Sequence, residues 1–214
     1  MAKVHLHRPS VRTLAVITFV AVALVAGIFY ATRQTAKQTY NGQPITYSTD
    51  HPDETKPNPK TFVWKGKPTD PKYITLPTIK SAGFIQNVAV DQNKQVGVPN
   101  NVHMAGWFTE SVLPGQKGLS IIDGHVDGRT DVGIFEKLGK LNKGDQFTVE
   151  LGNGKVLTYK VVASSTVAVK DAAAVLFSQD GTIASQLNLI TCGGTFNRDV
   201  HAYDKRVIVS ASLI

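Results

Sequence analysis

Residues 72–214 predict an all-β domain, a barrel or a sandwich, on three observations. Eight short runs rich in Val, Ile, Thr, Tyr and Phe follow one another, separated by Gly, Pro and Asn. One pair of runs is joined by Gly152-Asn153-Gly154, turn chemistry that accepts the positive φ of a tight hairpin. Helical patterning is confined to two short stretches, 134–138 and 171–176.

The runs are taken in order as 73–76, 84–90, 102–107, 118–123, 146–151, 156–164, 187–191 and 207–213. Residues 146–160 read as a hairpin, with Phe147, Val149, Leu151 and Val156 alternating with polar neighbours around the glycine turn. The alanine-rich stretch 171–176 predicts a short helix capped by Asp171. No internal repeat is visible, and Gly193-Gly194 and Gly115-x-x-Gly118 lack the strand, glycine spacing and lysine of a phosphate loop.

Ahead of this domain the composition changes twice. Residues 1–13 carry Lys3, Arg8 and Arg12 with no acidic residue, and residues 14–31 then run for 18 positions without a charge. Eighteen helical residues approach the length needed to cross a hydrocarbon core of about 30 Å. Apart from Thr18 no polar stripe interrupts them, as a core helix would require, and the apolar core is long for the alternative, a cleaved signal peptide, so residues 14–31 are expected to be a single-pass membrane anchor. The basic flank keeps residues 1–13 in the cytoplasm and places the rest outside the cell. Residues 32–71 are rich in Gln, Thr, Asn, Lys, Asp and Pro and predict an extracellular stalk, with Phe62-Val63-Trp64 as an apolar interruption that either docks or marks the domain start. The net charge of +7 is spread along the chain with no basic, aromatic-interleaved face, which argues against nucleic acid as a partner.

The chain has one cysteine, Cys192, so no intramolecular disulfide can form. Cys192 stands where a strand-forming run meets Gly193-Gly194, a place suited to an accessible thiol; a small hydrophobe closing a core strand is the alternative from this segment alone. A thiol nucleophile needs a proton acceptor. Of the six histidines, His103 falls in a strand run and His201 in the loop after Cys192. His125 follows Ile121-Ile122-Asp123-Gly124 just past a strand end, the position best suited to an exposed imidazole, and spacing leaves His201 open as the alternative.

The runs Leu189-Ile190-Thr191-Cys192, Gly124-His125-Val126-Asp127 and Arg206-Val207-Ile208-Val209-Ser210-Ala211 resemble the signatures of the sortases, cysteine transpeptidases anchored outside the membrane of Gram-positive bacteria. Val98-Pro99-Asn100, Gly106-Trp107, Leu113-Pro114-Gly115, Phe135-x-x-Leu138 and Lys143-Gly144-Asp145 extend the likeness over nearly all of 73–214 and are similar to the class lettered F. The resemblance implies a closed eight-stranded β-barrel at residues 72–214 with one or two short helices. It makes Cys192 the nucleophile, His125 the general acid and base, and Arg206 the donor to the oxyanion, with Thr191 shaping the substrate groove. An arginine suits that role because it stays charged and offers several fixed N–H donors; read without the resemblance, Arg206 is a solvated charge opening the last strand.

The implied substrates are surface proteins ending in an LPxTG-type sorting signal, cut after Thr, and the acceptor is an amine of a cell-wall precursor or similar. No cofactor and no metal are expected. The sequence departs from many relatives at Asn188, where threonine is common, and from class F at Asn197, where aspartate is common. Asp127 is a candidate to orient the imidazole, against the plain alternative of a solvated loop carboxylate. Two other functions are compatible with the same residues: a thiol hydrolase on this fold and a catalytically silent binding module outside the cell.

Overall fold

The computed structural model describes residues 52–90 and 96–214 in full, together with two short backbone strands, β1 (Thr39–Tyr40) and β2 (Gln43–Pro44), which pair with each other. The anchor expected at 14–31 lies outside the described residues, and among those residues no helix is long and apolar enough to cross a membrane. The other strands are β3 (Pro71–Leu76), β4 (Ser81–Val88), β5 (Ala105–Phe108), β6 (Gly118–Gly124), β7 (Gln146–Leu151), β8 (Val156–Ala168), β9 (Ser185–Asn197) and β10 (Ala202–Leu213). These eight close into a barrel in the order β10-β8-β7-β3-β4-β5-β6-β9. Neighbours are antiparallel except at two joints, β4 with β5 and β6 with β9, where the strands run parallel.

Each strand expected from the sequence is present. The 146–160 hairpin pairs Gln146 with Lys160 and turns through Gly154 at a φ of 83°. The alternation along β7 and β8 explains its register: Phe147, Val149, Leu157 and Tyr159 point inward, and the Phe147 and Tyr159 rings stack with centroids 5.6 Å apart. The barrel interior is filled by Trp107, Ile122, Leu187, Leu189 and Val209, among others.

The first seven residues of β9, Ser185–Thr191, are buried on both faces, so its polar members there, Ser185, Gln186, Asn188 and Thr191, are enclosed along with its leucines. Leu187 and Leu189 face the barrel interior. Ile190 belongs to a second cluster with Phe108, Ile121, Ile208, Ala172 and Leu176. The last two come from helix α1 (Val169–Leu176), laid over the outside of the barrel with its buried residues four apart. The cap of α1 is Ala168, without a side-chain hydrogen bond; Asp171 is inside the first turn, where its charge complements the helix dipole instead of capping as expected. The 134–138 stretch forms turns leading into a 3-10 turn at Leu138–Lys140.

The C-terminus of α1 is fastened by Asn188 of β9. Asn188, fully buried on the outer side of β9, donates from Nδ2 to the Leu176 carbonyl at 2.7 Å and accepts from Gln186 Nε2 at 2.9 Å. Gln186 in turn accepts from the Asp180 amide and donates to the Ser178 carbonyl. Asn188→Ala leaves buried donors and acceptors unmatched and is expected to cost about 2 kcal/mol, read as a lowered denaturant midpoint at unchanged slope.

Two expectations are corrected by the backbone. The glycine pair does not end β9, which runs on to Asn197 with a bulge in which Gly194 and Thr195 face the single Asp204 of β10. Gly194 has a φ of 82°, and a Cβ there would stand 2.1 Å from the Asp204 carboxylate that accepts the Thr195 amide at 2.7 Å, so only glycine fits. His103 is in a turn ahead of β5, not within a strand. The far part of the segment expected as a stalk is laid against the barrel: Asp53 bridges to Asn101, the Phe62 ring meets Phe84 with centroids 4.5 Å apart, and Trp64 Nε1 donates to the Ile85 carbonyl at 2.8 Å. Trp64 thus docks, and Phe62 rests one face of its ring on Phe84 while staying partly open to solvent; Val63 between them is far more exposed.

Candidate active site

The parallel joint between β6 and β9 assembles the site. Asp123 of β6 is the register partner of Ile190 of β9. Two residues further along each chain, on the same side of a pleated strand, stand His125 and Cys192. On the other flank of β9, Cys192 is directly paired with Arg206 of β10. Opposed residues of an antiparallel pair project to the same face, so the thiol and the guanidinium share one side of the sheet. Cys192, His125, Arg206 and Thr191 accordingly line a single cavity of about 350 Å³, floored by Ile190 and Asp123 and walled by α1 through Val169, Ala173 and Phe177.

The ring of His125 is oriented by a backbone carbonyl. Its Nε2 is 2.6 Å from Pro99 O, and a carbonyl only accepts, so Nε2 carries the proton and Nδ1 is the free base. Burial pulls the His125 imidazole below its ordinary pKa, with the Pro99 carbonyl and Asp127 opposing; at neutral pH the ring is uncharged. Asp127 does not bond the ring. Its carboxylate accepts the Tyr203 hydroxyl from the start of β10, tying the loop after His125 to the β9–β10 hairpin.

Cys192 is half-buried, and burial pushes its thiol up to about 11; the Arg206 guanidinium pulls the other way, and the carboxyls of Asp123 and Asp127 add to the rise. The resting pair is therefore a neutral thiol and a neutral imidazole, with a cation beside them. Arg206 Nη1 donates to the carbonyls of Tyr203 at 3.2 Å and of Lys205 at 2.9 Å, which anchors one edge of the fork. Thr191, buried, gives its hydroxyl to the Gly124 carbonyl at 2.6 Å and so fixes the residue just before His125 to the residue just before Cys192.

Asp123 is the group that sequence reasoning passed over. It is buried in the cavity, and burial raises its carboxyl to about 8, against a backbone hydrogen bond from Gly124 and the pull of Arg206. The unfolded value is near about 4, so between that pH and 8 the folded chain holds a proton the unfolded chain has lost. Stability contributed by this group therefore falls as pH rises through that window. Asp123→Asn, which needs no proton, is expected to match the parent's melting temperature near pH 4 and exceed it increasingly toward pH 8. Equal melting temperatures at pH 8 would show that the carboxyl is not held protonated.

Of the histidines weighed from sequence, only His125 reaches the cavity. His201 is exposed in the β9–β10 turn with a φ of 49°, and His103 is occupied by the Glu54 carbonyl and the Asp131 carboxylate, each 3.0 Å from its Nε2. The Asp123 signal was present in the sequence as a lone acid ending an apolar strand run, a charge that period-two alternation would place on the His125 side. The Pro99 carbonyl has no side-chain signal.

A family model described as the sortase domain matches residues 74–214, two thirds of the chain. The chain belongs to the sortase family. Solved structures agree on the fold. Sortase A from Corynebacterium diphtheriae is similar with a TM-score of 0.50 and 22% identity over 70% of this chain. The match spans 63% of that protein, less than two thirds of its length. A lid mutant of the same sortase A gives 0.51 and 24%, covering 73% of this chain and 74% of that one. Sortase C-1 from Actinomyces oris gives 0.51 and 24%, covering 68% and 73%. A search of the curated proteins found no match. The eight-stranded closed barrel of this sortase is thus the family's own.

Proposed function

We propose that this sortase is a membrane-anchored transpeptidase that cuts an LPxTG-type sorting signal after its threonine and transfers the acyl group to an amine. The observation that carries the reading is the pairing of the chain's one thiol with Arg206 across β9 and β10, in the cavity that also receives His125. Nδ1 of His125 takes the thiol proton as Sγ of Cys192 attacks the threonine carbonyl. The oxyanion forms beside the free N–H groups of Arg206. The imidazolium then protonates the departing glycine nitrogen, the C–N bond breaks, and a thioacyl enzyme remains. An incoming amine, of a cell-wall precursor or similar, attacks the thioester carbon and gives its proton to His125; the C–S bond breaks, and Sγ leaves and takes that proton from the imidazolium, restoring the resting pair. In this reading residues 14–31 hold the enzyme at the outer face of the cell membrane, and the likeness of its motifs to class F supports membership of that class.

The test is mass spectrometry of the chain incubated with an LPxTG peptide, with and without a glycine oligomer. An adduct of the peptide's acyl part on Cys192 that transfers to the oligomer supports the assignment. A thiol that alkylates readily yet forms no adduct with that peptide or its close variants defeats the sorting-signal substrate.

A further inference from the structure

The loop that carries His125 and the loop that carries its acceptor, Pro99, belong to different connections, 125–133 and 97–104. Three residues of the pre-barrel segment hold both. On one side the backbone of Asp53 accepts from Val102 at 2.9 Å and donates to Asn100 at 2.8 Å, next to Pro99, and the Thr55 carbonyl takes Asn101 Nδ2 at 2.9 Å. On the other side the Glu54 carboxylate accepts from the Arg129 amide, the Thr130 amide at 3.2 Å and the Thr130 hydroxyl. Gly128 lies so close that a Cβ there would stand 2.3 Å from Glu54 Oε1. The His103 ring, itself part of the 97–104 loop, bonds the Glu54 carbonyl and reaches across to the Asp131 carboxylate of the 125–133 loop.

We propose that Glu54 is a positioning residue for the transpeptidase reaction: its carboxylate staples the 125–133 loop to the segment whose backbone fixes the Pro99 loop, and so holds the imidazole of His125 at its station. The proposal rests on the sortase reading for its catalytic consequence, but the placement of the ring can be measured without any peptide. The two loops also meet directly, at the His103–Asp131 pair and where the Ile134 amide, next after the 125–133 loop, donates to the Val102 carbonyl at 2.8 Å; Glu54 adds the tie at Arg129 and Thr130, from a segment more than 70 residues away in sequence. A carboxylate suits the role, since it offers acceptor sites on both oxygens to three donors at once, where a glutamine would present an NH₂ to some of them.

The experiment compares the full chain with Glu54→Ala, Gly128→Ala and Thr130→Val. Gly128→Ala displaces the carboxylate while leaving Glu54 in place, and its backbone needs no positive φ. Turnover of an LPxTG peptide is expected to fall about tenfold in kcat in Glu54→Ala and Gly128→Ala, with KM within about twofold and the melting transition above the assay temperature. Thr130→Val should lose less, and its effect should not add to that of Glu54→Ala. In parallel, the His125 ring is titrated by NMR and identified by the loss of its signal in His125→Gln. Its midpoint should move upward in Glu54→Ala and Gly128→Ala, because a loosened loop returns to solvent an imidazole that burial now depresses. Unchanged midpoints in both variants overturn the proposal whatever the peptide does. An intact midpoint shift with no turnover of any peptide by the parent chain would instead defeat the sorting-signal reading and leave the positioning role standing.

Discussion

Cys192→Ala is expected to remove all turnover and acyl-adduct formation while leaving the barrel folded. The chain has no second thiol to take over, and no hydroxyl among the cavity-lining residues stands free, since Thr191 gives its own to the Gly124 carbonyl. Removing the sulfur from a half-buried site opens only a small gap, at a cost of about 1 kcal/mol. Stability and activity should therefore separate cleanly: the thermal transition stays within a few degrees of the parent, and product falls to the uncatalysed background. Residual turnover above that background would mean that the nucleophile lies elsewhere.

Arg206→Lys is expected to lower kcat by about 10²-fold or more although the positive charge is kept. The guanidinium is held by one nitrogen on the Tyr203 and Lys205 carbonyls, leaving its other donors fixed in plane beside Cys192. A lysine ammonium is a point charge on a flexible stem: it can satisfy those carbonyls or meet an oxyanion, and it has no rigid fork with which to do both. The two roles of the charge also come apart here. Arg206 lowers the thiol pKa through its charge, which lysine retains, so alkylation of Cys192 should change little in Arg206→Lys and slow in Arg206→Gln. Near-normal kcat in Arg206→Lys would remove the residue from the oxyanion role.

The strands were legible because their chemistry is local. Alternation in 146–160 and apolar runs at 118–123 and 187–191 locate their strands to within a few residues, and the glycine turn fixes one hairpin. What the sequence hid depends on partners distant along the chain. Gly193 and Gly194 look like a strand end until Asp204 is seen opposite them as the reason for a bulge. The start of α1 carries no capping side chain to announce it. Residues 53–64 have the composition of a linker, yet their backbone groups and two aromatic rings find the barrel, which composition does not encode. In the site, Cys192 and His125 could be singled out by type and neighbourhood, whereas Pro99 and Glu54 gain meaning only once the 97–104 and 125–133 loops and the pre-barrel segment lie together.

The parallel seam between β6 and β9 also ties competence to the order of assembly. Asp123 and Ile190 are 67 positions apart (190 minus 123), and parallel strands cannot form as a hairpin, so this seam closes only after the β7–β8 hairpin between them has been accommodated. Until then the sulfur of Cys192 has no His125 beside it, while its thiol, free of the burial that raises it in the fold, ionises like any other. The step that completes the barrel thus acts on the thiol in two opposite senses: burial takes ionisation away, and the seam brings up the imidazole that can draw the proton off.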